Sequence, residues 1–220
     1  MYKNSQNRMN PRQVFLTLAA LTLLTLGISQ AQAQMSGNSE NIQPHNYFPE
    51  VRLFTSAGEI VVELNRLRAP IAANNFLQYV ADGQYDNTIF HRVIEDFVVQ
   101  GGGFTPEWEP IEVRDPIFNE SGNGLTNDRG TIAMARQRNP HSSTSQFYFN
   151  VDDNESLDPS SRRWGYTVFG RVQEGMEVID AIAEMATHRE EETGYQDVPV
   201  EQVVLERVEI IADDTEAAEQ

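Results

Sequence analysis

Between residues 50 and 211 the chain is dominated by short runs of β-branched and aromatic residues, each closed by turn-forming residues. Val51 to Ser56 and Glu59 to Leu64 flank Ala57-Gly58 and predict a hairpin. Further strand-like runs fall at Thr88 to Ile94, Phe97 to Gln100, Thr131 to Ala135, Gln146 to Val151, Tyr166 to Val172 and Val200 to Ile211. Only two segments carry helical spacing. In the first, Pro70 opens a helix, Ala72, Phe76 and Val80 recur four apart, and Gly83 stops it. The second runs from Gly175 to Met185, with Met176, Ile179, Ile182 and Ala183 on one face. About eight strands and two helices predict a mainly β fold, a closed eight-stranded antiparallel barrel capped by two α-helices, because closure removes unpaired strand edges. Gly101 to Gly130 shows no period and is broken by glycines and prolines, so it is expected to wall a binding groove.

The ends of the chain read differently. Residues 1 to 12 carry Lys3, Arg8 and Arg12 without an acid, Val14 to Ile28 is apolar and uncharged, and Ala31-Gln32-Ala33 offers a cleavage site, the pattern of a secretory signal peptide over residues 1–33. Residues 34–49 are rich in Ser, Asn and Gln and read as a flexible leader, residues 50–211 as the folded domain, and residues 212–220 as an acidic tail. Cleavage would leave an exported, periplasmic chain with no lysine. Its formal charge would move from −17 to −20, since three cations and no anions are removed. That charge argues against nucleic acid as a partner and against the membrane once the signal is cut. There is no cysteine, so neither a disulfide nor a thiolate metal site is available.

Familiar catalytic patterns are missing: there is no G-x-S-x-G, no H-E-x-x-H and no G-x-x-x-x-G-K-[ST]. The four histidines (His45, His91, His141, His188) are scattered, and no metal site is expected from them. Asp152-x-Asn154-x-Ser156-x-Asp158 lacks the glycine and the closing glutamate of a calcium loop, with Arg163 in the closing position, and reads as a solvated acidic turn. What remains is Phe90 to Phe104. Strand alternation puts Phe90, Arg92 and Ile94 on one face, so Arg92 would stand between two large apolar groups. Such a guanidinium needs partners because it cannot discharge. Two readings stand: a core strand whose arginine is held by a buried carboxylate, or a functional cation.

Five blocks in order, Phe90-His91-Arg92-Val93-Ile94, Gln100-Gly101-Gly102-Gly103-Phe104, Gly130 to Ala135 (GTIAMA), Ser145 to Asn150 (SQFYFN) and Val168 to Val172 (VFGRV), resemble the cyclophilins. The likeness covers residues 50 to 211 and is nearest to the bacterial exported cyclophilin A type. It implies a peptidyl-prolyl cis-trans isomerase that needs no cofactor and acts on proline-containing, unfolded or partly folded polypeptides. By matching position it makes Arg92 the catalytic arginine. Phe97, Val98, Tyr148 and Leu157 would line the proline pocket, Gln100 would hydrogen-bond the substrate backbone, and Ala135, Arg136 and Gln146 would lie along the groove, Arg136 through its main chain. Tyr166 stands where animal relatives have His, Tyr148 replaces a common Phe, and Ser156 replaces a large aromatic. Weak cyclosporin binding is the expected consequence of Ser156, with Trp164 a candidate to fill the gap. A monomer is expected. The rival reading is a non-catalytic proline-peptide binder or holdase, against which Arg92 and Gln100 together argue.

Overall fold

The computed structural model describes residues 42–213. The signal peptide, the first part of the leader and most of the acidic tail lie outside the described residues. The strands are β1 (Glu50–Thr55), β2 (Gly58–Leu64), β3 (Thr88–Ile94), β4 (Val98–Gly101), β5 (Thr131–Met134), β6 (Phe147–Asn150), β7 (Val168–Glu174), β8 (Thr187–His188), β9 (Val198–Pro199) and β10 (Val204–Ile210). The helices are α1 (Pro70–Ala81) and α2 (Met176–Ala183). Eight strands close antiparallel in the order β1-β10-β3-β4-β6-β5-β7-β2, and β8 and β9 pair separately.

Period-two alternation fills the barrel. Val51 and Leu53 of β1, Ile60, Val62 and Leu64 of β2, Phe147 and Phe149 of β6 and Phe169 of β7 are fully buried and share one apolar cluster. Both helices press their apolar faces on it, α1 through Ala72, Phe76 and Leu77, α2 through Ile179 and Ile182. Phe76 is the hub, meeting Phe147 edge-on at 5.3 Å, Tyr85 at 4.9 Å and Phe169 at 5.4 Å. Offset and edge contacts of this kind add to simple area burial. The α1 start is capped from a distance. Ala69 offers no side chain to the first turn, and the Glu120 carboxylate accepts instead from the N–H groups of Ile71 (3.1 Å) and Ala72 (2.9 Å). Half-burial raises the Glu120 pKa, and those two hydrogen bonds oppose the rise.

The structure departs from the sequence reading in four places. Residues 42–49, read as the end of the leader, are fastened to the barrel: the Arg66 guanidinium donates to the carbonyls of Ile42, Gln43 and Asn46, and Gln43 Nε2 donates to Ile211 O. Of the last predicted strand, Val200 to Ile211, only Val204–Ile210 is strand, as β10; residues 200–203 lie outside the barrel ladder, after the separate short strand β9. The turn at Asp152 to Asp158 is solvated at Asp152, Asp153, Glu155 and Ser156 but is also anchored, since Asn154 is buried and donates to Phe97 O and Asn150 Oδ1.

The fourth departure is in β3. Phe90 pairs with Gly101 and Arg92 with Gln100, so His91 is an extra residue, a β-bulge. The bulge breaks alternation. Phe90 and Val93 point into the barrel core, and Arg92 points away from it with its side chain 36% exposed. Phe90 and Arg92 therefore do not share a face, and the desolvation problem posed by the sequence does not arise.

Candidate active site

On the outside of the barrel, the faces of β4, β5, β6 and β7 turned away from the core are themselves buried. Val98, Ala133, Tyr148 and Val168 form a second cluster, with Phe97, Leu125, Ala135, Leu157 and Tyr166 packed against it. Over this cluster lies a cavity of about 240 Å³ lined by Arg92, Phe97, Val98, Gln100, Ala135, Arg136, Tyr148, Leu157 and Tyr166. Nine of the ten residues singled out from the sequence thus meet at one place. The tenth, Gln146, stands just behind them: its Oε1 accepts from Gln100 Nε2 at 2.9 Å.

Close backbone packing makes that pair possible. A Cβ on Gly103 would lie 2.5 Å from Gln146 Nε2, so only glycine leaves room for the amide. Gly102 has φ +75°, and a Cβ there would strike Phe147 at 2.8 Å and Tyr85 at 2.9 Å. Tyr148 brings a hydroxyl into the apolar floor. It donates to Asn127 Oδ1 at 2.8 Å, and Asn127 in turn donates through its N–H and Nδ2 to Asp158 Oδ1. Burial holds the Tyr148 pKa well above its ordinary value, so the phenol stays neutral. The cavity thus has an apolar floor with a satisfied polar anchor, and its lining also carries the Arg92 and Arg136 side chains and the Gln100 amide, which Gln146 holds from behind. Such a site fits a small apolar ring attached to a peptide carbonyl.

Residues 50–210 match the family described as cyclophilin type peptidyl-prolyl cis-trans isomerase/CLD. The chain belongs to this family. It is 54% identical over 164 residues to peptidyl-prolyl cis-trans isomerase cyp18 of Streptomyces antibioticus, covering 73% of this chain and 98% of the relative. It is 48% identical to peptidyl-prolyl cis-trans isomerase B of Escherichia coli, over 73% of this chain and 98% of that one, and 48% identical to peptidyl-prolyl cis-trans isomerase A of Dickeya dadantii, over 73% and 84%. Among solved structures, a cyclophilin type isomerase of Cryptosporidium parvum superposes with TM-score 0.62 at 26% identity, covering 76% of this chain and 99% of the other.

Within this cyclophilin frame several expectations change. The Arg136 side chain is not incidental: its guanidinium lies 4.3 Å from the Tyr166 ring centroid and donates to Gly165 O (3.1 Å) and Trp164 O (3.0 Å). Cation–π contact and hydrogen bonds together hold Tyr166 edge-on to Tyr148 at 5.9 Å. Trp164 does not fill a gap in the pocket. It packs against Phe118 and His141, at 5.8 and 5.0 Å, and does not line the cavity. Ser156 is exposed and likewise absent from the lining. The 101–130 segment does not wall this cavity. It supports the floor from behind through Leu125 and Asn127, and lines instead a separate polar depression of about 250 Å³ with Glu63, Asp128, Arg129 and Arg171.

Two residues near the centre escaped the sequence reading. His91, the bulge residue, is buried against Phe104 at 5.0 Å, and its Nδ1 has no hydrogen-bond partner. Asp197 places Oδ2 3.6 Å from Arg92 Nε. No local pattern marks either, because one depends on a register shift and the other on a distant loop.

His91 gives a pH prediction. Burial lowers its pKa from 6.5 to about 4, the nearby Arg92 charge acts in the same direction, and the polar groups of the Ile89 backbone and the Gln146 side chain oppose both. Between pH 6.5 and about 4 the unfolded chain binds a proton at this residue that the folded chain refuses, so stability falls on acidification across that window and the His91 contribution is level above it. The full loss is about 3 kcal/mol. Urea midpoints measured from pH 7 to 4 should fall less steeply for His91→Gln than for wild type; parallel curves would refute the assignment.

Proposed function

We propose that the protein catalyses rotation about Xaa-Pro bonds with Arg92 as the catalytic residue. Rotation faces a barrier of about 20 kcal/mol because resonance gives the C–N bond double-bond character. At the twisted midpoint the lone pair localises on the prolyl nitrogen. A cation donating to that nitrogen stabilises the midpoint more than either planar end, which is what acceleration requires. The observation that carries this reading is the placement of a half-exposed guanidinium on the same cavity as the apolar floor of Phe97, Val98, Tyr148 and Leu157. The floor would seat the proline ring and Gln100 would grip the substrate backbone, its amide already oriented by Gln146. Ala135, Arg136 and Tyr166 would bound the path of the flanking chain.

A charged hydrogen bond contributes about 1.5 to 3 kcal/mol, so Arg92→Ala should lower kcat/KM on a short Xaa-Pro peptide by roughly 10- to 100-fold. Equal rates for both proteins would refute the role given to Arg92, and only a rate no faster than the uncatalysed one would leave the reading of a non-catalytic proline-peptide binder.

The biological setting proposed is the folding of exported proteins in the periplasm, by a monomer acting on proline-containing unfolded or partly folded chains. The basic start, apolar run and Ala31-x-Ala33 support it. N-terminal sequencing of the protein recovered from a bacterial periplasmic fraction should begin near Gln34; recovery of the uncut chain from the cytoplasm would overturn the assignment.

Weak cyclosporin binding is proposed because Ser156 stands outside the cavity lining and Trp164 packs against Phe118 and His141. No large ring from either residue lines the cavity. Isomerase activity should persist at a stoichiometric concentration of the drug, and complete inhibition there would contradict the proposal.

A further inference from the structure

The edge of β3 beyond Ile89 has no barrel partner on the β10 side, where pairing ends at Ile89 and Val204. The chain between β9 and β10 and just before β9 takes that place: Phe90 N–H donates to Val203 O at 3.0 Å and Val93 N–H donates to Asp197 O at 2.8 Å. Asp197 is thereby fixed to the residue next to Arg92. It adopts φ +60°, a left-handed conformation that Asp tolerates better than most residues, and is followed directly by β9, whose Val198 and Pro199 pair with His188 and Thr187. In this conformation its carboxylate reaches back to Arg92, with Oδ2 3.6 Å from Nε. Asp197 does not line the cavity, whereas Arg92 does. The carboxylate therefore meets the guanidinium on the side of its stem nitrogen, from outside the site.

An arginine side chain carries about 2 kcal/mol of rotamer freedom, and the Arg92 side chain is 36% exposed. A catalytic cation so placed loses rate whenever it swings into solvent, because the twisted amide needs it at one point. A carboxylate near Nε restrains the stem and leaves the terminal amino groups free to donate. We infer that Asp197 is a positioning residue for the isomerisation, acting through Arg92 by holding its guanidinium over the pocket; the inference rests on Arg92 being the catalytic cation.

The test uses the full chain and a short Xaa-Pro peptide, with kcat and KM measured separately. Asp197→Asn keeps the shape and the left-handed backbone and removes the charge; Asp197→Gly removes the side chain without backbone strain and guards against a folding artefact in either variant. Both should lower kcat by about two- to fivefold, the range an ion pair of this exposure supports, with KM changed less than kcat. The deficit should narrow at about 1 M salt, where screening acts within about 3 Å. In an Arg92→Ala background neither variant should lower the rate further. A wild-type or raised kcat for both variants, a loss confined to KM, or an equal loss with and without Arg92 would each overturn the inference while leaving the role of Arg92 intact. An Arg92→Ala protein as fast as wild type would instead remove the reading beneath it.

Discussion

The extra residue in β3 governs the site. Without the bulge at His91, strand alternation would turn Phe90 and Arg92 to the same side, and the barrel core would have to accept either a buried guanidinium or a solvated phenylalanine ring. A single inserted residue lets Phe90 and Val93 stay among the core aromatics while Arg92 faces the cavity. On the other edge of β3, pairing with β10 ends at Ile89. The free N–H groups of that edge then recruit the backbone of residues 197–203, which cover the edge and deliver a carboxylate to the arginine stem.

The second constraint is that β4, β5, β6 and the first three residues of β7 are packed on both faces. Phe147 and Phe149 belong to the barrel core, and Tyr148 between them to the outer cluster. A residue that lies between two packed layers cannot shift without disturbing both, which makes the pocket floor as rigid as the core. The phenol of Tyr148 is tolerated there because Asn127 accepts its hydrogen and Asp158 orients Asn127. On the opposite rim, Arg136 binds Tyr166 through its ring and the preceding carbonyls through its N–H groups, in a loop that Asn119 and Ser121 also hold at Gly165. The irregular 101–130 segment thus serves the site from behind. Glycines at 102 and 103 admit the rings and amides that press on them, and Glu120 caps the first helix.

Most of the fold was legible because it rests on short-range rules. The four-residue spacing of Ala72, Phe76 and Val80 identified α1 with its proline start, and two β-rich runs flanking Ala57-Gly58 identified the first hairpin. The residues of the cavity were found through ordered blocks resembling a family, not through periodicity, since Phe97, Val98 and Leu157 look like ordinary core residues on their own. The contacts of the Arg136 and Trp164 side chains were not legible. Arg136 depends on a carbonyl and a ring some 30 residues further on, and Trp164 turns to Phe118 and His141 rather than to the pocket.

By itself the sequence determined the barrel strands, the two helices and the closure, because side-chain period and turn chemistry are settled among near neighbours, while the residues of the pocket were named by resemblance alone. Only the tertiary structure decided which way Arg92 faces, what holds it and what supports the floor beneath it. Those depend on a one-residue slip between paired strands and on contacts such as Arg92 with Asp197 and Tyr148 with Asn127. Barrel closure creates such contacts between distant parts of the chain, and neither partner carries a local trace of the other.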